Sequence, residues 1–563
     1  MFLNNFLLST LEDVSSYFVF PYFYDLTKTQ VIEMYAPPYG LYNSITTYSE
    51  PVVIYLLFWL AKFFDPHFIY NMLVLISGSL AFLSAYKLIG LFSKNKFIQS
   101  FIGLNYVFSP YFLYQSRAHP QLMQIWMPAF FLYLYFKYGF KYEKFYYRRF
   151  SLLGIFLGLI ILSSNYLGYF LCVFLGIYTL TYMIVEYVKL RKINWFAFLN
   201  NFLMVFVASI ISLMWLYPFF SVNYLTASSD QPEYISRPLE DFVYFSSRPW
   251  YYLLPSVDNP LFGNISKQAI TILQTNWGHY LTNNYFKTEH TAAYIGFGNL
   301  ILLILGIITC QKHNKREYLN ILLVTNIILI VLTFPPFIIA NSHTIYLPSF
   351  ILYKVFPMFR VLARLGFLIN LINFIFISFG CTFLWTLKSN KYNHLGKSIL
   401  FVLCVFSFLE LYVPLTILKT DPEPQAFIEM KDKIGISNKV AVYPKEAIEN
   451  FFYWTRVHRN YLVNPINFKT KDFDANKFTN GLNSCEGIKE ASQMGVDYLV
   501  VYDYNGSKNV FFDRNENLKL INFSSKVEDY PNEKHLSYLY EISNLTLHPD
   551  IYVYKLNQYV SCK

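Results

Sequence analysis

The stretch VLARLGFLINLINFIFISFGCTFLWT, residues 361–386, decides the class of this protein. It holds a single charge, Arg364, in a run longer than the roughly 20 mostly apolar residues that cross a bilayer as one helix. Working outward, comparable runs lie at 68–93, 98–116, 120–140, 150–165, 167–187, 195–219, 291–310, 318–340 and 396–418. Two shorter apolar stretches, 51–64 and 346–358, are bracketed by Pro51, Pro66, Pro348 and Pro357 and are expected to be half-spanning or interfacial pieces. Composition agrees. Of 563 residues, 55% are hydrophobic, 20% aromatic and only 14% charged, and mean hydropathy is +0.32. A soluble domain carries roughly a quarter charged residues, so soluble multidomain and disordered readings are excluded. Six cysteines are too few for a disulfide scaffold. Cys172, Cys310, Cys381 and Cys404 lie in apolar runs, and only Cys485 and Cys562 fall in polar sequence.

The charge of +10 is unevenly spread. Residues 419–563 hold 18 Lys/Arg and 19 Asp/Glu, a net of −1, which leaves 27 and 16, a net of +11, for residues 1–418. That excess sits in short turns: Lys87, Lys94 and Lys96; Lys137, Lys141, Lys144, Arg148 and Arg149; Lys189, Arg191 and Lys192; Lys312, Lys315 and Arg316; Lys388, Lys391 and Lys397. Such a pattern marks cytoplasmic loops rather than a nucleic-acid surface. If the two short pieces do not span, all five basic turns share one side, and segments 1–67, 220–290 and 419–563 face outward. The expected architecture is an α-helical polytopic membrane protein of about ten spanning helices. Residues 1–67 form an extracytoplasmic first loop with a short half-spanning segment. Residues 68–418 form the transmembrane domain, and 419–563 a small extracytoplasmic α/β domain. In that last part, Val440–Tyr443, Tyr498–Tyr502 and Ile551–Lys555 have the pattern of strands, and Ser484–Gln493 that of a helix ending at Met494-Gly495. An outward N-terminus without a spanning run in residues 1–50 leads to the expectation of a further helix ahead of Met1. The alternative is insertion without a leader.

Polar clusters gather on the outward side. Glu12-Asp13 could supply a general base or hold a divalent metal, or be merely solvated. The turn Ser116-Arg117-Ala118-His119-Pro120-Gln121 joins two helices, and His119 suits either a phosphate contact or proton shuttle, or a helix-end cap. The long loop 220–290 has no clear element of its own, and loops of that length are usually functional. It carries Arg248, Asp258 and Glu289, the last also explicable as a helix-start acid. In Phe359-Arg360-Val361-Leu362-Ala363-Arg364, the two arginines stand four apart and would share one helix face. A bound anion would relieve their repulsion, and guanidinium suits phosphate. Snorkelling to head groups, or pairing with outer-loop acids, would also do so. The sequence requires no cofactor, and whether a metal takes part is open. The sequon-like Asn264-Ile265-Ser266 would matter only in a eukaryotic secretory route.

The order of short motifs resembles a known group. Ser109-Pro110-Tyr111, Arg117-Ala118-His119-Pro120-Gln121-Leu122 and Trp126-Met127-Pro128 are followed by Arg248-Pro249, Pro255-Ser256 and Pro260-Leu261-Phe262-Gly263. Then come Glu289 with Tyr294-Ile295-Gly296, Phe359 to Gly366, Tyr453-Trp454-Thr455 with His458-Arg459, and Gly495 to Val501. Together they resemble a bacterial group of large membrane proteins related to the GT-C class of glycosyltransferases. The resemblance implies a polyprenyl-phosphate-linked sugar donor, an extracytoplasmic glycan, lipid or protein acceptor of the cell envelope, and a place in the plasma membrane. It would put Asp13, with Glu12 competing, at the catalytic acid of the first loop, although the glycine the group has before that acid is missing here. Arg360 and Arg364, aided by Arg117 or His119, would hold the donor phosphate. Arg248, Asp258 and Glu289 would serve the acceptor or loop site. The rival readings are a transporter or flippase of a lipid-linked precursor, and a non-enzymatic envelope scaffold.

Overall fold

A computed structural model of the chain describes residues 6–7, 24–25, 30–31, 50–60, 63–64, 66–139, 144–220, 238–277, 292–311, 313, 316–340, 343–387, 390–414, 418–419, 425–448, 451, 454–464, 473–503, 511–512, 515–521 and 550–561. The helices in order are α1 (Pro51–Leu60), α2 (Pro66–Ile89), α3 (Lys96–Val107), α4 (Pro110–Ala118), α5 (Trp126–Gly139), α6 (Tyr147–Ser163), α7 (Asn165–Leu190) and α8 (Trp195–Phe220). There follow α9 (Leu239–Tyr244), α10 (Gly263–Trp277), α11 (Phe297–Cys310), α12 (Arg316–Leu332), the hairpin β1 (Phe337–Ala340) and β2 (His343–Tyr346), α13 (Ser349–Val355), α14 (Gly366–Trp385) and α15 (Asn390–Leu411). The chain forms two compact units. One comprises 73–215 with 234–415, and the other 1–72, 216–233 and 416–563.

Among the described residues five helices are long and apolar enough to cross a membrane: Phe68–Ile89, Asn165–Leu190, Trp195–Tyr217, Leu362–Trp385 and His394–Leu411. The expected run 98–116 is instead two helices, because Ser109 caps a new helix whose first residue is Pro110. The runs at 120–140, 150–165 and 291–310 give helices of 14, 17 and 14 residues. At 1.5 Å per residue these are shorter than a hydrocarbon core of about 30 Å. The run 318–340 ends as a helix at Leu332 and continues into the β1–β2 hairpin.

The first unit is built around α14, whose apolar window is 89% buried against 33–50% for the other four spans. It packs on α11 through facing glycines. A methyl group at Gly306 would collide with the Phe376 carbonyl, and one at Gly380 with the Leu302 carbonyl. Gly366 lies likewise against Ala292 and Ala293. The pairs ascend together, so α11 and α14 run parallel, and small residues permit the backbone approach. Since α12 returns between them, the segment 337–358 must begin and end on one side. The seven residues of α13 are too few to cross. Amides stitch the core: Asn299 Nδ2 donates to Asn105 Oδ1 at 2.9 Å, Asn326 Nδ2 to Asn373 Oδ1 at 2.7 Å, and Asn370 Nδ2 to the Ala292 carbonyl at 2.8 Å. Such bonds between membrane helices contribute about 0.6–2 kcal/mol each.

The described parts of the five basic turns gather at one end of this unit. Phe97 stacks on Trp385 at 5.4 Å, Phe92 meets Phe136 at 6.4 Å, and Asn200 bonds both Tyr146 N and the Lys144 carbonyl. Lys189 pairs with Glu317, and Tyr182 stacks on Tyr318 at 6.3 Å.

The second unit carries α16 (Gln425–Ile434), β3 (Lys439–Tyr443), β4 (Tyr461–Leu462), α17 (Ala475–Gly481), α18 (Cys485–Gln493), β5 (Tyr498–Asp503), β6 (Leu518–Ile521) and β7 (Asp550–Leu556). The sheet order is β6-β7-β5-β3-β4, with β3 parallel to β4 and β5, and β7 antiparallel to β5 and β6. Its core joins Ala441, Leu499 and Val501 to Phe478, Leu482, Ile488 and Ala491. Ser484 caps α18, and Gly495 at φ +74° turns the chain into β5. His458 is fully buried, its ring 4.1 Å from that of Phe451 and 5.5 Å from that of Phe427. Its Nε2–H donates to the Phe451 carbonyl at 3.1 Å, and its Nδ1 accepts the Asn460 N–H at 3.1 Å. Acceptance at Nδ1 needs the neutral ring with its proton on Nε2. Burial pushes its pKa down from 6.5 to about 3.

Gly306→Leu overpacks the α11–α14 crossing and lowers stability by about 1–3 kcal/mol or more. Gly176→Ala, where nothing lies within 4 Å of an added Cβ, is neutral or gains about 0.5–1 kcal/mol. Thermal unfolding in detergent checks both. His458 takes up a proton on unfolding but not when folded. The stability it contributes is therefore complete above pH 6.5 and falls, by at most about 1.4 kcal/mol per pH unit, as pH drops toward 3. A melting series from pH 7.5 to 5 should slope downward for the parent protein and be flatter for His458→Gln.

Candidate functional site

At the end of the first unit away from the basic turns, the segment Phe356–Leu365 enters α14. The expectation of one helix face for Arg360 and Arg364 is corrected here. Residues 359–361 are irregular, and Leu362–Leu365 form a single 3-10 turn before α14 begins. The two guanidinium groups therefore go to different partners. Aromatic stacking fixes the segment: the Phe359 ring lies on Tyr169 at 4.1 Å and 7°, with Tyr166 edge-on at 5.2 Å. On its other flank Ala363 N donates to the Phe245 carbonyl at 3.1 Å.

Arg364 lies over the Tyr166 ring, 4.6 Å from its centroid, and its Nη2 is 3.3 Å from His119 Nε2. Guanidinium can only donate, so the imidazole nitrogen accepts in this contact. His119 is the C-cap of α4, one of the two roles its sequence allowed. Arg360 is paired with Asp241 of α9 and stacked 4.9 Å over Phe245. Pairing with an outer-loop acid was the alternative to anion binding, and for Arg360 it is observed. Arg248, near the start of the Pro249–Tyr252 3-10 turn, is 2% exposed and donates to the Ser246 carbonyl at 2.6 Å. The turn is tied down by Ser247 N to the Thr333 carbonyl at 2.8 Å and by Tyr252 Oη to Thr333 Oγ1 at 2.6 Å. Three guanidinium groups and one imidazole thus come from three chain segments at one end of the bundle. Stacking on Tyr and Phe lets a cation sit in an apolar setting while leaving edge N–H groups for an anion.

Loop 220–290 was expected to lack elements of its own. It contains α9, the 3-10 turn and α10, short amphipathic pieces that bury one side each. Asp258 is exposed. Its neighbour Asn259 is the buried residue, and nothing in the sequence beyond the Asp-Asn-Pro turn pointed to it. Its amide donates to the carbonyls of Leu409, Glu410 and Tyr412 at 2.8–2.9 Å, and its oxygen accepts Leu261 N and Phe262 N. Glu410 was also missed, although a lone acid in the apolar run 396–418 was the available signal. It is 3% exposed and accepts Tyr294 Oη at 3.2 Å and Gly298 N at 3.1 Å. The N-terminal turn of α11 suits a carboxylate. Gly296, at φ +87°, leaves it room.

Glu12, Asp13 and Glu289 lie outside the described residues, as does the side chain of Arg117, whose backbone ends α4. Among the described residues no group of three or more His, Cys, Asp or Glu is arranged to hold a metal ion. The staple predicts that Asn259→Ala costs about 1–3 kcal/mol, since buried partners lose their bonds, whereas Gln268→Ala, at an exposed position of α10, changes stability by less than about 0.5 kcal/mol. Thermal unfolding and limited proteolysis of the loop distinguish the two.

No curated protein matches the chain in sequence. In structure it is similar to the arabinofuranosyltransferase AftD from Mycobacteria, at a TM-score of 0.52 and 12% identity, over 91% of this chain and 35% of that one. A mutant form of that enzyme gives 0.50 and 11%, over 92% and 37%. An oligosaccharyltransferase from Archaeoglobus fulgidus gives 0.47 and 12%, over 86% and 64%. The chain thus spans about a third of the length of the arabinofuranosyltransferase it matches. At such identities the likeness is one of fold, that of GT-C-type membrane glycosyltransferases. A family model described as domain of unknown function DUF6311 matches residues 24–409, more than half of the sequence, and the chain belongs to that family.

Proposed function

We propose that this protein is a membrane glycosyltransferase that moves a sugar from a polyprenyl-phosphate donor to an acceptor of the cell envelope. The observation that carries the reading is the Arg364–His119–Tyr166 group, with Arg360 and Arg248 at the same end of a GT-C-like bundle, away from its basic turns. Basic turns mark the cytosolic side, so the cluster faces outward at the plasma membrane. A disulfide at Cys485 supports the same side for the C-terminal α/β part, because disulfides persist in oxidising compartments.

In this reading the donor phosphate docks on Arg364, with His119 beside it. Arg360 is held by Asp241 and Phe245 at the rim. Asp13, the resemblance's choice, takes the proton of the acceptor hydroxyl as its oxygen attacks the anomeric carbon. The bond from that carbon to the phosphate oxygen breaks, and polyprenyl phosphate leaves with its charge met by guanidinium already in place. Loop 220–290 and the C-terminal part select the acceptor.

The test is binding and transfer in nanodiscs, with polyprenyl phosphate and uncharged polyprenol as paired probes. Arg364→Ala should weaken phosphate binding about 10–100-fold, the size of a lost charge-assisted bond, and leave polyprenol binding unchanged. Asp13→Asn should abolish transfer and keep binding. Equal affinity for the two lipids would overturn the phosphate assignment. Lipid translocation without any sugar transfer would favour the transporter.

A further inference from the structure

Helix α10 has three distinct sides, and only two have an obvious destination. One side packs on the protein. Ser266 is fully buried and donates to the Pro255 carbonyl at 2.7 Å. Ile270 is 8% exposed against Tyr251, with Leu273, Trp250, Leu254 and Val257 around them. A second side, Asn264, Lys267, Gln268 and Thr271, is polar and exposed. The third is apolar and exposed: Ile265 at 58% and Ile272 at 63% share one line, and Leu261 at 58% precedes it by one turn. At 3.6 residues per turn this line lies about 130° around the helix from the protein-packed side. Single exposed apolar residues are ordinary. Three in one line, between a packed side and a polar side, call for an apolar third phase.

The place where α10 starts identifies that phase. Asn259 pins the preceding turn to the carbonyls of Leu409, Glu410 and Tyr412, the end of α15. Phe262 meets Phe406 edge-on at 5.9 Å. Helix α15 is one of the five candidate spans, and its exposed row is Phe401, Val402, Val405, Phe406 and Leu409. That row faces hydrocarbon in a spanning helix. The line on α10 begins at the turn that Asn259 and Phe262 tie to the end of that row. In Gly263–Trp277 the one charged residue is Lys267, on the polar side.

We infer that α10 is an in-plane helix seated in the bilayer surface at the end away from the basic turns. Leu261, Ile265 and Ile272 dip into the acyl boundary, and Lys267 lies at the head groups. Its partner is lipid, and the arrangement is that of an interfacial amphipathic helix. Through Ile270 and Tyr251 the bilayer surface then holds the 3-10 turn beside Arg248 at a fixed depth. The inference does not rest on glycosyl transfer.

The test places an environment-sensitive fluorophore on single cysteines replacing Ile265, Ile272, Lys267 or Thr271 in the full-length protein in nanodiscs. Signal from the native thiols is subtracted from the unsubstituted protein. Labels at 265 and 272 should be quenched by doxyl-labelled lipid at least about twofold more than by aqueous iodide, and labels at 267 and 271 the reverse, as expected for a helix lying in the interface. Equal iodide quenching at all four positions would overturn the inference. So would protection of 265 and 272 that persists in detergent and rises with protein concentration, which would assign the line to a second copy of the chain.

Discussion

The close crossing of α11 and α14 is the constraint on which the rest depends. Gly306 and Gly380 let two backbones approach so nearly that neither position has room for a methyl group. Lipid offers helices no hydrophobic reason to associate, so such contacts, with the Asn299–Asn105 and Asn326–Asn373 bonds, supply the cohesion. The crossing also sets direction. With α11 and α14 parallel and α12 returning between them, the β1–β2 hairpin and α13 remain at one end. The arginine-bearing segment 356–365 is thereby delivered to the end opposite the basic turns.

Charge near an apolar medium needs a partner, and each charged or polar group at this end has one of a different kind. Arg360 has Asp241 and the face of Phe245. Arg364 has the face of Tyr166 and the imidazole of His119. Glu410 has a tyrosine hydroxyl and the opening turn of α11. Asn259 makes a five-bond knot that ties the outer loop to the end of α15. The aromatic stack of Phe359 on Tyr169 fixes the segment that carries Arg360 and Arg364, so an arriving anion would find donors already oriented. That preorganisation, within a GT-C-like fold, is the physical basis of the functional reading.

Much of the architecture was legible because hydropathy and charge are additive along a helix. Residues 361–386 and 396–418 announced spans, the five basic turns announced one end, and Pro348 and Pro357 announced that the piece between them stays short. The strands around Val440 and Leu499 followed from short apolar runs, and the one around Val553 from alternation. Arg360 and Arg364 misled because an i, i+4 spacing implies a shared face only inside a helix, and Phe359 and Tyr169 hold this stretch outside one. Loop 220–290 seemed formless because α9 has six residues and α10 shows its apolar side in two parts, toward protein and away from it. The Asp-Asn-Pro turn and the His458-Arg459 pair marked Asn259 and His458 without showing what they bind. Their roles come from the carbonyls of Leu409, Glu410 and Tyr412, and from Phe451 and Asn460.

The most direct measurement is a cryo-EM map of the protein in nanodiscs loaded with polyprenyl phosphate. The account predicts phosphate density within hydrogen-bonding distance of Arg364, beside His119, in the leaflet opposite the basic turns. A phosphate bound in the other leaflet, or an unchanged Arg364–His119 contact with the lipid bound elsewhere, would contradict it.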